Sequence, residues 1–225
     1  VLDKAVAILR AVAEQPATLA ELVARTGLPR ATAHRLAVAL EGHRLVRRTP
    51  DGEWAPGPGL AELGRSGADL GGLAGRHLAA LRDTSGESAQ FYVRDGAWRV
   101  CLAAAERTSG LRDTVPVGAR LPMTAGSAAH ALLAFAPADE VTPLLPAASF
   151  TARTLLDVRR RGWAHSVAER EAGVASLSAP VRDATGGVLG AVSISGPVER
   201  LGRRPAPEVV SAVLEAAGAI GRAAR

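Results

Sequence analysis

The stretch Leu19–Leu40, LAELVARTGLPRATAHRLAVAL, reads as two helices and the turn between them. Thr18 and Glu21 stand three apart around Leu19, with Leu22 and Val23 following. That is the spacing of a capping box, in which each side chain serves the other's backbone amide. Gly27 follows, a residue type that takes left-handed backbone at a helix end without a Cβ penalty. Pro29 suits the first turn of the next helix, where a missing N–H costs nothing. That third helix runs to about Gly42, and its residues advance by about 100° each. Ala33, Leu36, Ala37 and Leu40 therefore share one side, while Arg30, Ala31, His34, Arg35 and Val38 gather about 140° away. One face is aliphatic and packs inward. The other offers two guanidiniums, an imidazole and small groups to the outside.

Working outward, Leu2, Ala5, Val6, Leu9, Val12 and Ala13 recur at helical spacing ahead of Pro16 and predict the core stripe of a first helix. Behind the third helix, Leu45–Thr49 and Glu53–Ala55 flank Pro50-Asp51-Gly52, a tight-turn signal between two strands. Three helices, a glycine turn and a basic hairpin describe a winged helix-turn-helix. Arginine forks suit guanine edges and phosphates, and the Thr32 methyl or Ala31 suits a thymine methyl. Arg44, Arg47 and Arg48 lie on or beside the first hairpin strand, placed to grip a flanking phosphate backbone. The expected DNA-binding set is thus Arg30, Thr32, His34, Arg35, Arg44, Arg47 and Arg48.

Charge placement agrees. The net charge of the 225 residues is only +5, yet the six arginines between Arg25 and Arg48 face a single acid, Glu41. The rest of the chain sums to zero, so the whole excess sits on the segment of the helix-turn-helix and hairpin, as a polyanion-facing patch requires. The sequence pI of 10.7 overstates basicity, because Lys4 is the only lysine and Tyr92 the only tyrosine. With 48% apolar and 22% charged residues, disordered, collagen-like and coiled-coil chains are excluded. At 3% aromatics the core must be aliphatic. A single cysteine, Cys101, excludes an intrachain disulfide and a cysteine-rich zinc site. No apolar run is long enough for a membrane span and no signal-like segment opens the sequence, so a cytoplasmic protein is expected.

Pro56-Gly57-Pro58-Gly59 breaks the pattern. Residues 1–59 are expected to form the winged helix, residues 60–76 a linker helix, and residues 77–225 a second, α/β domain. Strands are predicted near Ala89–Val93 and Ala97–Ala104, then near Val174–Val181 and Val188–Ser195. Helices are predicted near Ala125–Phe135, Thr154–Arg161 and Pro207–Arg222. Residues two apart in a strand point the same way. Ser193 and Ser195 therefore share one face and Ser176 and Ser178 another; if the two strands pair, four hydroxyls converge. The alternative is a solvated sheet face, which the pattern alone leaves equally open. Thr124-Ala125-Gly126-Ser127-Ala128 reads as a helix start whose amides could cradle a carboxylate. Leu121 and Met123 could close such a pocket. His130 reads as a structural residue on that helix, Cys101 and Trp163 as core, and Arg159-Arg160-Arg161 as a solvated helix end. A hydrolase using Ser127 or Ser176 is the competing class. It lacks a G-x-S-x-G elbow, a phosphate loop and an H-E-x-x-H motif, so no catalytic residue, metal or cofactor is expected.

The stretches Val1–Val12, Leu19–Leu40, Leu121–Phe135, Arg160–Val174 and Val192–Pro197 resemble the IclR family of bacterial transcription regulators, in order and over nearly the whole chain. Arg112–Gly118, Glu169–Val181 and Gly196–Leu201 resemble its actinobacterial NdgR/AreB group. The resemblance implies an α+β fold: a winged helix-turn-helix joined to an effector-binding domain with a GAF/profilin-like sheet. It implies homodimers or dimers of dimers on palindromic double-stranded DNA operators. Family effector contacts correspond to Ser127, Ala128, Ser166, Ser176, Ser193 and Ser195. Ser166 stands where the founding member has an aspartate and Ser176 where it has a cysteine, so that member's keto-acid does not carry over. The NdgR/AreB likeness implies instead an amino acid or small organic acid as effector, and control of amino-acid metabolism, including branched-chain or leucine metabolism. Ala31 replaces a common family serine, which removes one phosphate contact.

Overall fold

The structure, a computed structural model, describes residues 1–64 and 69–224. The chain forms two compact units, Val1–Asp69 and Leu70–Arg225, each with its own core.

The first unit holds helices α1 (Leu2–Glu14), α2 (Leu19–Thr26) and α3 (Arg30–Gly42), a hairpin of β1 (Val46–Arg48) and β2 (Trp54–Pro56), and α4 (Pro58–Gly64). The Thr18–Glu21 capping box forms: the Glu21 amide donates to Thr18 Oγ1 at 3.3 Å, and the Thr18 amide to Glu21 Oε2 at 2.7 Å. Gly27 turns the chain at φ 68°. Pro29 caps α3 from one residue outside it, its carbonyl accepting the Thr32 and Ala33 amides. Ala17 and Trp54 exchange backbone hydrogen bonds at 2.9 and 2.7 Å, which ties the α1–α2 connection to the wing.

On α1 the stripe departs from the expected one. Ile8, Ala11 and Val12 are buried with Ala5 and Leu9 beside them, whereas Leu2 and Ala13 are exposed. The apolar arc of this helix is wide enough to carry two overlapping stripes, and only packing against α2 and α3 selects one of them.

The second unit is one six-stranded antiparallel sheet with helices on both faces. Its strands are β3 (Ser88–Asp95), β4 (Trp98–Ala105), β5 (Arg120–Pro122), β6 (Ala164–Val167), β7 (Val174–Arg182) and β8 (Val188–Pro197), in the order β5-β4-β3-β8-β7-β6. Helices α5 (Leu70–Ser85) and α10 (Pro207–Ala223) cover one face, packing Leu78, Leu81, Val213 and Ile220 on Phe91, Leu177, Val192 and Ile194. Helices α6 (Ser127–Leu133) and α8 (Ala152–Arg161) belong to the other side, with Met123, Cys101, Leu133, Leu155 and Val158 in its core. Short helical turns α7 (Ala138–Val141) and α9 (Val198–Leu201) and a 3-10 segment (Thr142–Ala147) complete the unit. The 76/77 division expected from sequence falls inside α5, a single helix whose Ala74 and Leu78 belong to the same core; part of the expected linker, residues 65–68, lies outside the described residues. Trp163 is only partly buried, with the Arg161 guanidinium 4.0 Å above its ring.

Candidate functional site

In the first unit α3 turns as its pattern requires. Ala33, Ala37 and Leu40 are buried, Leu36 and Thr32 half-buried, and Arg30, Ala31, His34, Arg35 and Val38 exposed. Among the described residues, Arg30, His34, Arg35 and Arg47 make no ion pair or side-chain hydrogen bond within the chain, so their donors are available to a partner. The other two wing arginines are committed. Arg44, at φ 60°, forms a two-pronged ion pair with Glu62 of α4 at 2.5 and 3.2 Å. Its carbonyl accepts the Gly59 amide at 2.8 Å, and a Cβ at Gly57 or Gly59 would collide with that backbone. Arg48 lies 3.8 Å over the Trp54 ring and donates to the Gly52 carbonyl at 2.8 Å. The structure thus divides the expected seven: Arg30, His34 and Arg35 free on α3 with Arg47 free on the wing, Thr32 half-buried on α3, and two arginines that also brace the wing's shape.

In the second unit the serine strands do pair, in the register Ser176↔Ser195 and Ser178↔Ser193, with Ser166 of β6 opposite Ser176. Leu177, Val192 and Ile194 point to the α5/α10 face, so the hydroxyls all lie toward α6. They do not face water. Ser127, Ser166, Ser178, Ser193 and Ser195 are buried and Ser176 half-buried. Ser127 Oγ, the first residue of α6, sits 2.7 Å from both Ser176 Oγ and Ser178 Oγ. Ser178 donates to Ser193 at 2.8 Å, Ser166 and Ser176 lie 2.9 Å apart, and Ser195 donates to Gln90 Oε1 at 3.2 Å. A solvated sheet face would not bond its hydroxyls to one another in this way.

The open helix start is not found. The Gly126 amide donates to Glu169 Oε2 at 2.9 Å and the Ser127 amide to Ser166 Oγ at 3.0 Å, so the protein's own groups take these donors. Glu169 Oε2 also lies 2.9 Å from Nε2 of the fully buried His130, whose ring packs edge-on against Phe150.

A cavity of about 20 Å³ remains, lined by Ser127, Ala128, Ser176, Ser193 and Ser195 together with Tyr92, Arg99, Asp113 and Arg170, room for about one water. A larger ligand must therefore displace or re-pair some of these groups. Met123 does not line it: fully buried, it belongs to the core beneath α6, and Leu121 packs on that core from edge strand β5. Ser166 contributes through its bonds to Ser127 and Ser176 rather than as a lining residue.

Sequence reading missed the charged part of this cavity. Arg170 and Asp113 form an ion pair there, from two loops 57 residues apart. Arg99 is buried and lies 5.5 Å from the Tyr92 ring centre. Burial pushes its guanidinium down to about 10 and drives the Tyr92 hydroxyl well above its ordinary range. Two signals were present on the strands: Gln90 and Tyr92 alternate with Ala89 and Phe91, and Arg99 opens an otherwise aliphatic run. The loop residues gave none, because nothing local joins Asp113 to Arg170.

Residues 65–222 match the model of the bacterial transcriptional regulator IclR C-terminal domain, and residues 1–50 that of the IclR helix-turn-helix domain. The chain is similar to the glycerol operon regulatory protein of Streptomyces griseus, 33% identical over 98% of this chain and 94% of that protein. It is similar to the transcriptional repressor IclR of Escherichia coli (strain K12), 29% identical over 96% of this chain and 86% of that protein. An IclR homolog from Microbacterium hydrocarbonoxydans, solved with 4-hydroxybenzoate, shares the fold with a TM-score of 0.77 at 24% identity, over 98% of this chain and 97% of that one. With its helix-turn-helix domain and its sheet domain each matched in order, this chain belongs to the IclR family of bacterial transcriptional regulators.

Proposed function

We propose that Arg30, Thr32, His34 and Arg35 of α3 read base edges in the major groove of an operator while Arg47 holds the adjoining phosphate backbone. Membership of the family makes the chain a DNA-binding transcriptional regulator rather than an enzyme. The observation that supports this residue assignment is the uncommitted, outward Arg30, His34 and Arg35 of α3 opposite a buried aliphatic face, with the half-buried Thr32 at the edge between the two. Arg44 and Arg48 hold the wing and add charge beside the backbone. Two copies on a palindromic operator, as a homodimer or a dimer of dimers, follow from the family likeness and from the two-fold symmetry such sites share with their proteins.

Arg35→Ala is expected to weaken operator binding by about 1–3 kcal/mol and to relax specificity, because a base-edge fork is lost. Equal mobility-shift titrations of wild type and variant would remove Arg35 from the reading set. Arg47→Ala is expected to weaken all DNA sequences alike and to reduce the slope of log affinity against log salt by about one. A sequence-selective loss would contradict a phosphate role.

The buried network around Ser127, Ser176, Ser193 and Ser195 supports an effector pocket at that place. Likeness of Arg112–Gly118, Glu169–Val181 and Gly196–Leu201 to the NdgR/AreB group favours an amino acid or its keto-acid precursor and control of amino-acid, including leucine, metabolism. The name of the Streptomyces griseus relative favours glycerol metabolism instead. A thermal-shift screen of branched-chain amino acids, their keto-acids, glycerol and glycerol 3-phosphate separates the two, since only compounds that favour the native state raise the transition. Such a compound acts on DNA binding by preferring one arrangement of the dimer over another.

A further inference from the structure

Arg99 projects from β4 with 3% of its surface exposed. Its guanidinium packs against Gly126, donates to the Pro122 carbonyl, and leaves Nε without a partner. Among the described residues no carboxylate lies within ion-pair distance of it. The two acids of this region are bonded elsewhere, Asp113 to Arg170 and Glu169 to the Gly126 amide and His130, so Glu169 acts on Arg99 only from beyond ion-pair distance, against the opposing charge of Arg170. An arginine stays charged at neutral pH even here, because burial brings it down only to about 10. A buried cation without a counter-ion is an unfavourable arrangement. One carbonyl does not require it, since a guanidinium carries five donors in a fork matched to carboxylate and phosphate oxygens.

This guanidinium lines the same cavity as Ser127, Ser193 and Ser195. We propose that Arg99 is the anion-binding, specificity-determining residue of this pocket, so that the effector is a small acid, carboxylate or phosphate ester, carrying a hydroxyl or carbonyl for the serines. The inference rests on the reading of the serine cluster as the effector site. It assigns the ligand's charge to β4 and its neutral oxygens to β7, β8 and α6. A neutral polyol would leave the guanidinium unpaired and bind poorly; an acid brings the missing counter-charge.

The test uses the full chain in thermal-shift and calorimetric titrations with two matched pairs, lactate against lactamide and glycerol 3-phosphate against glycerol, each to 10 mM. In the wild type at least one acid is expected to raise the transition, with its neutral partner binding at least tenfold more weakly; which pair responds tells carboxylate from phosphate. In Arg99→Met the acid is expected to lose at least tenfold in affinity while the ligand-free transition stays at or above that of wild type, because an unpaired buried charge has been removed. Arg99→Lys is expected to restore part of the preference for the acid. A ligand-free transition lowered in both variants makes Arg99 a structural clamp and overturns the proposal. So does undiminished acid binding in Arg99→Met, a neutral compound bound as tightly as its acid, or a wild type that answers neither acid. Neutral compounds that bind, and lose affinity in Ser193→Ala, would leave the pocket standing while removing its charge selectivity. Acid binding that depends on Arg99 but ignores Ser193→Ala would do the reverse.

Discussion

A chain carrying Ser193→Val and Ser195→Val together is expected to bind operator DNA normally and to ignore its effector. The two substitutions remove Ser193, which accepts from Ser178, and Ser195, which donates to Gln90. A neutral hydrogen bond nets about 0.5–1.5 kcal/mol, but a buried polar group stranded by its loss costs about 1–3 kcal/mol. Two such losses at the ligand amount to about 2–6 kcal/mol, and each 1.4 kcal/mol is about tenfold in affinity. Effector affinity should therefore fall by at least about thirtyfold. Calorimetry with whichever compound shifts the wild-type transition reads the loss directly, and mobility shifts check that DNA binding survives. Because the cavity is only about 20 Å³, the added methyl groups are accommodated with strain. The alanine pair is the gentler companion and should lose affinity in the same direction. Full affinity in both double variants would place the effector elsewhere.

Trp54→Ala is expected to cost the first unit about 3–5 kcal/mol, the range for truncating a buried aromatic. Trp54 is wholly buried, packs with Ile8, Leu22, Ala37 and Val46, and carries the Arg48 guanidinium on its face. Its backbone holds Ala17, so the side chain anchors the wing to the helices. Domains are stable by only about 5–15 kcal/mol. The variant should show an early thermal transition and lose DNA binding, while a second transition from the sheet unit, whose core is separate, stays near its wild-type temperature. Trp54→Phe should recover most of the loss, because the indole N–H has no partner to forfeit. One undisturbed transition in Trp54→Ala would show that the wing does not depend on this anchor.

The helix-turn-helix was legible because its information is local. Capping at Thr18, a left-handed turn at Gly27 and a helical period across Ala33, Ala37 and Leu40 all lie within one segment, and an outward set follows once the inward one is fixed. The serine strands were half legible. Period-two alternation put Ser176 with Ser178 and Ser193 with Ser195, but the same pattern describes a wet sheet face. Burial decided it, and burial comes from α6 docking over the sheet. The α1 stripe shows the converse case. Its apolar arc admitted two rotations, and contacts with α2 and α3 selected Ile8 and Ala11 over Leu2 and Ala13.

Amino-acid order alone thus determined the winged helix, the alternating hydroxyls and the concentration of charge before Thr49, since backbone period and residue chemistry act over a few positions. Only tertiary packing decided that Arg44 and Arg48 brace the wing while Arg47 is free. Only packing, too, brought Arg99, Asp113 and Arg170 around the serines and filled the α6 amides with Glu169 and Ser166. The pairings of the sheet domain join residues tens of positions apart, and their energies depend on exclusion from water, a property no segment has until the others cover it.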